Sequence, residues 1–250
     1  MTQSGDGDEV VVKRGHAPGA TAAEAAGLRW LAAAGTVPIP AVRSADEDRL
    51  VIDRVPAGRP SAPAAERFGR GLAGLHAAGA PAFGAPPPGG PAEAWIGRAP
   101  MANVPAGGWA SWYASDRVLP YVRLAVDAGT FGPAEAAVFE RACARIPSSA
   151  EPPARLHGDL WNGNVLWDGR EVWLIDPAAH GGHRETDLAM LHLFGCPHLD
   201  RILGAYHEVS PLADGRRDRI GLHQLFPLLV HTVLFGQSYA ERALAAARSF

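Results

Sequence analysis

The part of this sequence that most constrains the fold is residues 156–177, which lie between long stretches of helical pattern. Two short apolar runs, residues 164–167 and 172–175, are joined by a turn at Asp168-Gly169. Apolar runs joined by an Asp-Gly turn are typical of a β-hairpin. A hairpin brings its outer ends together, so the residues that flank the two strands are expected to be close in space.

Polar side chains flank this predicted hairpin. Asp159 lies just before the first strand, Asn164 lies at its start, and Asp176 follows the second strand. Carboxylate and amide oxygens suit a hard cation such as Mg²⁺. Kinases use an Asp, an Asn and a second Asp in this order to receive the hydroxyl proton and to hold magnesium. Taken singly, each residue is more typical of a turn, but the ordered set favours a phosphoryl-transfer site.

A second part of such a site is predicted near the amino terminus. Kinases hold the phosphates of ATP with a strand lysine that pairs with a helix glutamate. Lys13 is the only lysine of the sequence and lies in the β-branched run of residues 10–14. Glu24 lies in a predicted helix, residues 21–34, whose Thr21–Glu24 spacing is that of a capping box. We expect Lys13 and Glu24 to bind ATP; the alternative is a solvated strand end.

The order of elements predicts an α+β protein with two lobes. Further β-like runs at residues 41–44 and 50–54 complete a β-α-β-β pattern, and a connector rich in Pro and Gly follows at residues 55–63. We place a small β-rich lobe at residues 1–56 and a larger helical lobe at residues 57–250. Helices are predicted at residues 64–79, 109–128 and 133–146, and at least three more within residues 188–250.

The connector between the predicted lobes is the expected adenine site. In a two-lobe kinase the base lies between the lobes and bonds the connector backbone, which would place it here along residues 53–57. Asp53 and Val55 are therefore predicted to contact the nucleotide. Backbone groups, rather than side chains, would make these contacts.

Composition excludes several other classes of protein. The net charge of −3 argues against a protein that mainly binds nucleic acid. The two cysteines, Cys143 and Cys196, cannot form a disulfide scaffold, so a reduced cytoplasm is the expected location. Apolar runs are too short for a membrane helix, and the polar start does not resemble a secretory signal. No Cys/His cluster has the spacing of zinc ligands.

At HGDLWNGNV (residues 157–165) and LIDPAAHGGHRETDLAMLHLFG (residues 174–195) the sequence resembles the fructosamine kinase, or ketosamine-3-kinase, family. This family is related to the aminoglycoside and choline kinases of the protein-kinase-like superfamily, so the resemblance implies a protein-kinase-like, two-lobe α+β fold. Trp161, the Asp176-Pro177-Ala178 triplet and the run of residues 184–190 are nearer to the fructosamine kinase pattern than to the wider superfamily. The resemblance extends from Val10 over nearly the whole chain.

The resemblance implies an ATP- and Mg²⁺-dependent reaction and assigns its central residues. Asp159 is then the catalytic base, and Asn164 and Asp176 hold magnesium. Lys13, with Glu24, positions the phosphates of ATP.

Five further residues receive secondary roles from the same resemblance. Trp161 is implied as a wall of the sugar pocket, since an indole face stacks on a sugar ring; the alternative is a core aromatic. Asp187 and His157 are implied as supports of the catalytic loop. His183 and His180 are candidates for contact with the acceptor, although a solvated loop position is an equal alternative.

The sequence before Lys13 departs from the family pattern. The family has a strand, a glycine-containing loop over the phosphates and a second strand before its lysine, whereas twelve residues precede Lys13 here. Residues 4–9 are interpreted as the turn that leads into the lysine strand. The phosphate loop is therefore expected to be absent or truncated, through an upstream start or a reduced form that binds ATP more weakly.

The combined hypothesis is an ATP-dependent kinase that phosphorylates a sugar hydroxyl of ketosamines, and thereby takes part in deglycation. The acceptor would be a small glycated amine or a glycated protein side chain, and the protein a monomer or weak dimer without nucleic-acid or membrane partners. Two alternatives remain. One is an aminoglycoside- or choline-type phosphotransferase, and the other is a nucleotide-binding pseudokinase.

Overall fold

A small antiparallel sheet opens the part of the chain that the computed structural model describes, residues 9–250. The predicted β-α-β-β pattern is confirmed, and the strand order is β1-β3-β2. The predicted turn at residues 4–9 lies outside the described residues except for Glu9. The four elements are β1 (Val10–Arg14), α1 (Ala20–Ala32), β2 (Val42–Ala45) and β3 (Arg49–Asp53).

The predicted capping box of α1 is wrong. Gly19, with a φ of 75°, precedes the helix, and no side chain caps the helix start. The Thr21 hydroxyl instead donates to the backbone oxygens of Asp46 (2.7 Å) and Glu47 (2.9 Å), which fixes α1 against the β2–β3 turn. Glu24 is then free to extend toward the sheet rather than toward its own helix start.

Helices dominate the rest of the chain, and paired short strands lie between them. The helices are α2 (Ala62–Ala77), α3 (Trp109–Trp112), α4 (Leu119–Asp127), α5 (Pro133–Cys143), α6 (Arg184–Leu193), α7 (Leu199–Val209), α8 (Ile220–Phe235) and α9 (Gln237–Arg248). The antiparallel pairs are β4 (Glu93–Ile96) with β5 (Ala99–Ala102), β6 (Ala154–Leu156) with β9 (His180–Gly182), and β7 (Val165–Trp167) with β8 (Val172–Leu174). Within the described residues, no helix is long and apolar enough to cross a membrane.

Helix α2 shows how the apolar pattern builds the core of the helical part. Phe68, Leu72 and Leu75 recur on one face, as predicted, and all three are buried. They pack in one cluster with Ile202 and Tyr206 of α7. Each such side chain contributes on the order of 2 kcal/mol through its removal from water, so this helix pair forms a stable base beneath the β7–β8 hairpin.

A buried arginine joins the β4–β5 hairpin to the helical core. Arg117 lies in a π-helical segment, Tyr113–Val118, that interrupts the predicted helix of residues 109–128. Its guanidinium donates to the backbone oxygen of Ala102 (2.7 Å) and to Asn103 Oδ1 (2.9 Å). Burial lowers the pKa of Arg117 to about 10. These bonds position the hairpin, which the sequence pattern did not predict, beside the α1 face of the sheet.

The β7–β8 hairpin forms as predicted, but with a longer connection. Four residues, 168–171, join the strands. Asp168 Oδ1 accepts the amide hydrogens of Arg170 (2.7 Å) and Glu171 (2.6 Å), and Gly169 has a φ of 93°. The side chain of Asp168 therefore organises the turn, as Asp commonly does.

Candidate active site

Asp159, Asn164 and Asp176 converge at the open end of the β7–β8 hairpin. Asn164 Nδ2 donates to the backbone oxygen of Asp159 (2.8 Å), to Asp159 Oδ2 (3.1 Å) and to the backbone oxygen of Asp176 (3.4 Å). The amide of Ile175 donates to the Asn164 carbonyl (3.2 Å), so the hairpin ladder continues to this point. The structure therefore brings these three residues together, as predicted, and all three line one cavity.

Lys13 completes this cluster from the opposite side of a cleft. Its ammonium group contacts the carboxylates of both Glu24 and Asp176. Burial by itself would lower the pKa of Lys13, but the two carboxylates outweigh that effect and raise it. Burial raises the pKa of Glu24 despite the adjacent ammonium group. The Lys13 ammonium group is thus a fixed positive charge between the N-terminal sheet and the loop that carries Asp159.

The backbone before Asp159 is held by a buried carboxylate. Asp187 Oδ2 accepts the amide hydrogen of His157 (2.7 Å), and Oδ1 accepts that of Gly158 (3.0 Å). His76 Nε2 also bonds Asp187 (3.2 Å). The His157 ring bonds the Ile175 carbonyl (2.9 Å), which ties the loop to the end of β8. His157 and Asp187 therefore support the loop rather than line the cleft.

Two residues of the site have positive φ angles. Gly158 has a φ of 83°, and a Cβ atom at this position would lie 2.0 Å from the carbonyl oxygen of Ala178. Asp176 has a φ of 54°, a conformation that non-glycine residues rarely adopt. Such strain is commonly found where a functional side chain must point in a set direction, and here it directs Asp176 toward Lys13.

The electrostatic surroundings of Asp159 suit a proton acceptor. Burial raises the pKa of Asp159 to about 7, and the Asp176 and Asp187 carboxylates add to this increase. The hydrogen bond from Asn164 acts in the opposite direction. A carboxylate with a pKa near the working pH can both accept and release a proton.

A cavity of about 550 Å³ contains this cluster. Trp161 forms part of its wall and is 37% exposed, so it is not a core residue. His16 and Trp95 contact each other edge to face at a centroid separation of 5.2 Å, and Trp95 Nε1 donates to the Pro18 carbonyl (3.4 Å). This contact joins the β1–α1 loop to the β4–β5 hairpin and closes one side of the cavity. Sequence reasoning missed His16, because nothing local indicates that its loop meets this hairpin.

The cavity also shows which residues could hold a divalent cation. Asn164 uses its amide nitrogen for hydrogen bonds, which leaves its oxygen available within the described residues. Asp176 offers carboxylate oxygens on the cavity wall, and it already pairs with one cation, Lys13. This oxygen donor set fits Mg²⁺, which prefers one or two carboxylates together with phosphate and water.

Asp53 and Val55, which were predicted to contact adenine, lie outside the lining of the Asp159 cavity. Asp53 pairs with Arg43, whose Nη2 donates to Asp53 Oδ2 (3.0 Å), and the Asp53 amide donates to the Ala41 carbonyl (3.0 Å). Its amide is thus already used within the sheet, so a contact from this group to adenine is not supported. Val55 is half-buried, and neither residue lines the cavity of Asp159. The Val55 assignment stays a prediction.

The prediction that His183 contacts the acceptor conflicts with its position. His183 is buried, bonds Ser149 Oγ (3.0 Å), and accepts the Glu185 amide hydrogen at the start of α6 (3.2 Å). Its ring packs against Trp109 and His223, at 4.8 and 4.6 Å, outside the residues that line the Asp159 cavity. His180 is likewise buried, and it bonds the Ala178 carbonyl (2.8 Å). Hydrogen bonds and contacts with neighbouring aromatic rings position both side chains.

His183, Glu185 and His223 form a cluster that the sequence spacing did not indicate, with ligand-type atoms within 4.8 Å of one another. Arg219 donates to both Glu185 oxygens, at 2.9 and 2.6 Å. This guanidinium already neutralises the carboxylate. The cluster therefore fits a buried ion pair better than a metal centre.

Comparisons with known proteins agree with this geometry. The chain matches the family model described as fructosamine kinase over residues 6–249. A probable ketoamine kinase of Synechocystis is 36% identical over 228 residues, which cover 88% of this chain and 75% of that protein. A Thermobifida fusca crystal structure assigned to the fructosamine-3-kinases is 48% identical, with a TM-score of 0.88 over 96% of this chain and 84% of that chain.

A more distant likeness concerns the fold alone. An ADP-bound aminoglycoside phosphotransferase has a TM-score of 0.62 at 12% identity, and the match covers 100% of this chain and 93% of that chain. The predicted protein-kinase-like α+β fold is confirmed by these likenesses.

Proposed function

Because this chain belongs to the fructosamine kinase family, we propose that it transfers the γ-phosphoryl group of ATP to a sugar hydroxyl of a ketosamine, a fructosamine or a ribulosamine. The observation that carries the proposal is the cluster of Asp159, Asn164 and Asp176 opposite Lys13 in one cavity. Phosphoryl transfer depends mainly on positioning and on charge stabilisation, and this cluster supplies groups for both.

Asp159 is the proposed base. The acceptor oxygen forms a bond to the γ-phosphorus, the bond from that phosphorus to the bridging oxygen of ADP breaks, and the hydroxyl proton passes to the Asp159 carboxylate. The raised pKa of Asp159 supports this role, because a more basic carboxylate accepts a proton more readily near neutral pH. Asn164 fixes the direction of this carboxylate through its hydrogen bond to Oδ2.

Lys13, Asn164 and Asp176 are proposed to act on the phosphates. Lys13 would bind the α- and β-phosphates as a compact charge held by Glu24. Asn164 and Asp176 would hold Mg²⁺, which when bound spreads the charge that develops on the phosphoryl oxygens. Before nucleotide binds, Lys13 pairs with the Asp176 carboxylate and so keeps this side chain directed into the cleft.

The ketosamine acceptor is favoured over a polycationic one. Within the described residues, the acidic groups that line the cavity are Glu24, Asp159 and Asp176. Two of them pair with Lys13, and the third is the proposed base. A polycationic aminoglycoside would require further negative charge, whereas Trp161 and Trp95 provide faces for a neutral sugar ring. Phosphorylation of the sugar would make the ketosamine less stable, and deglycation would follow.

Phosphorus NMR of the purified protein with Mg-ATP tests the proposal. Fructosyl- and ribosyl-amines form the main acceptor panel, and an aminoglycoside and choline represent the alternative kinase class. We expect a new sugar-phosphate signal with a ketosamine and none with the cationic alcohols. ATP consumption without a ketosamine phosphate would exclude the acceptor class. Mg-ATP binding without turnover on any acceptor would instead identify a pseudokinase.

A pair of aspartate variants tests the catalytic assignment. Asp159→Asn should lower the rate of transfer at least about 1,000-fold, while Mg-ATP still raises the thermal unfolding temperature. Asp127→Asn, at the exposed end of α4, is the matched control and should retain the wild-type rate. An Asp159→Asn enzyme with most of its rate would mean that another group is the base.

A further inference from the structure

Asn103 carries a buried hydrogen-bond donor that has no protein partner beside the Asp159 cavity. The residue is 1% exposed, and it lines this cavity. Its side-chain nitrogen, Nδ2, makes no hydrogen bond to any group of residues 9–250. A buried polar group without a partner costs free energy, and each such group calls for a specific explanation. Beside a cavity, a ligand atom that accepts from this nitrogen is such an explanation.

Arg117 fixes the direction in which the Asn103 amide group points. The guanidinium is completely buried and donates to Asn103 Oδ1 (2.9 Å). A guanidinium group has donors only, so the amide oxygen faces Arg117 and the NH2 group points away from it. The Asn103 backbone amide donates to the Ala92 carbonyl (2.7 Å), which holds the residue directly after the β4–β5 hairpin. The free side of this amide group is therefore a donor and not an acceptor.

The positive charge of Arg117 also strengthens this donor. The guanidinium makes its other hydrogen bonds to the backbone oxygens of Ala102 (2.7 Å) and Asp116 (3.2 Å), which are uncharged. A cation bound to an amide oxygen draws electron density from the amide nitrogen, and hydrogen bonds linked in this way strengthen one another. The Asn103 NH2 group therefore favours an electron-rich oxygen and disfavours an ammonium group.

Asn103 borders the side of the cavity that adjoins the proposed base. Ala94, in its hairpin, belongs to the same buried cluster as Ala178. The Ala178 carbonyl oxygen lies 2.0 Å from the place that a Cβ atom of Gly158 would take, and Gly158 directly precedes the proposed base. The ammonium group that would bind the phosphates comes instead from Lys13 on β1. The acceptor sugar, rather than the nucleotide, is therefore the ligand expected next to Asn103.

We propose that Asn103 is a specificity residue whose side-chain NH2 group donates to a non-reacting oxygen of the acceptor sugar. This inference rests on the proposed ketosamine kinase function and adds a requirement on its substrate. The acceptor carries an oxygen, and not an amino group, at the position that faces Asn103. This hydrogen bond helps to hold the sugar with its reacting hydroxyl at Asp159.

The test uses a parent acceptor and analogues that each lack one oxygen. The parent is fructosyl-methylamine, and the analogues cover every oxygen of the sugar except the reacting one. The measured quantity is the ratio of kcat/KM for the parent to that for each analogue. In the wild type this ratio should be about ten for the analogue that lacks the oxygen bound by Asn103, since this is the usual contribution of one hydrogen bond.

Two variants remove the donor in different ways. Asn103→Asp has the same size and keeps an oxygen for Arg117, but its side chain has no NH2 group. Asn103→Leu removes the donor without the addition of a charge. In both variants the ratio for that one analogue should fall to about one, because the parent loses the same hydrogen bond, while the ratios for the other analogues should not change. The KM for Mg-ATP should be unchanged in Asn103→Leu.

Glu93→Gln is the matched control, because Glu93 is exposed on the same hairpin and lies outside the cavity lining. It should leave every ratio unchanged. Identical ratios in the wild type and both Asn103 variants, or a loss confined to the KM for Mg-ATP, would overturn the assignment while the kinase function stands. If the wild-type protein does not phosphorylate the parent acceptor or any analogue, the proposed function fails first, and the role of Asn103 fails with it.

Discussion

The ammonium group of Lys13 contacts the carboxylate of Asp176, 163 positions later in the chain, and it contacts Glu24 as well. One cation thereby joins the N-terminal sheet, helix α1 and the end of the β7–β8 hairpin. The cleft between them is held open around a charged centre rather than closed by apolar packing.

Replacement of this cation should affect both stability and transfer. Lys13→Met leaves the Glu24 and Asp176 carboxylates partly buried without their partner, so the free energy of unfolding should fall by about 1–2 kcal/mol. The double variant Lys13→Met/Glu24→Gln should recover much of that loss in urea unfolding, because it removes one of the two negative charges that would repel each other. Both variants should lose transfer at least about 100-fold. Equal stability of the single and double variants would contradict the ion-pair account.

The raised pKa of Asp159 predicts a pH-dependent gain in stability for Asp159→Asn. Between the usual carboxyl pKa of 3.8 and about 7, the folded state keeps a proton that the unfolded state has released. Wild-type stability therefore falls as pH rises through this window. At pH 8 the variant should be more stable than wild type by up to about 4 kcal/mol, and near pH 4 the difference should nearly vanish. Denaturant unfolding at both pH values measures it, and an equal difference at the two would contradict the assigned shift.

Asp187 should be far more important for stability than Asp168, a half-buried carboxylate with similar bonds. Asp187→Ala leaves the amides of His157 and Gly158 buried without a partner, which should cost about 3 kcal/mol and abolish most transfer. Asp168 also accepts two backbone amides, but at the hairpin turn, where water can replace it. Asp168→Ala should therefore cost about 1 kcal/mol or less and retain transfer. Similar losses in both variants would show that burial of the Asp187 bonds is not the cause.

Gly158 and Gly169 both have a positive φ, so their alanine variants form a matched test of how rigid the loop before Asp159 is. An alanine at Gly158 would clash with the Ala178 carbonyl, whereas Gly169, with a φ of 93°, has nothing within 4 Å of a built Cβ. Gly169→Ala should cost about 1 kcal/mol from backbone strain alone. Gly158→Ala should cost at least about 3 kcal/mol and displace Asp159, with loss of transfer. Wild-type activity in Gly158→Ala would mean that the loop adjusts freely.

Local sequence patterns predicted a large part of this site. The hairpin of residues 164–175 explains the meeting of Asp159, Asn164 and Asp176, because hairpin geometry depends on short-range turn and strand preferences. Lys13 and Glu24 could also be predicted from local pattern. Lys13 is the only lysine of the sequence, and both residues lie on elements that short-range preferences predict. The capping-box interpretation of Thr21 and Glu24 failed because the β2–β3 turn and Lys13 offered those side chains better partners than the helix start.

Positions that depend on packing were not predictable in the same way. His183 resembled a loop residue near the acceptor, but burial against Trp109 and His223 turns it away from the cavity. The contact of His16 with Trp95 requires two segments that are remote in sequence to fold against each other.

Residue chemistry and short-range backbone preference were enough to predict the candidate reacting groups, their order, and the hairpin and strand that carry them. The surroundings of those groups depend instead on how distant segments of the chain pack. The raised pKa of Asp159, the two-sided pairing of Lys13 and the contact of His16 with Trp95 all arise from burial and from contacts between distant segments. Desolvation and long-range packing belong to the folded chain as a whole, so no local pattern encodes them.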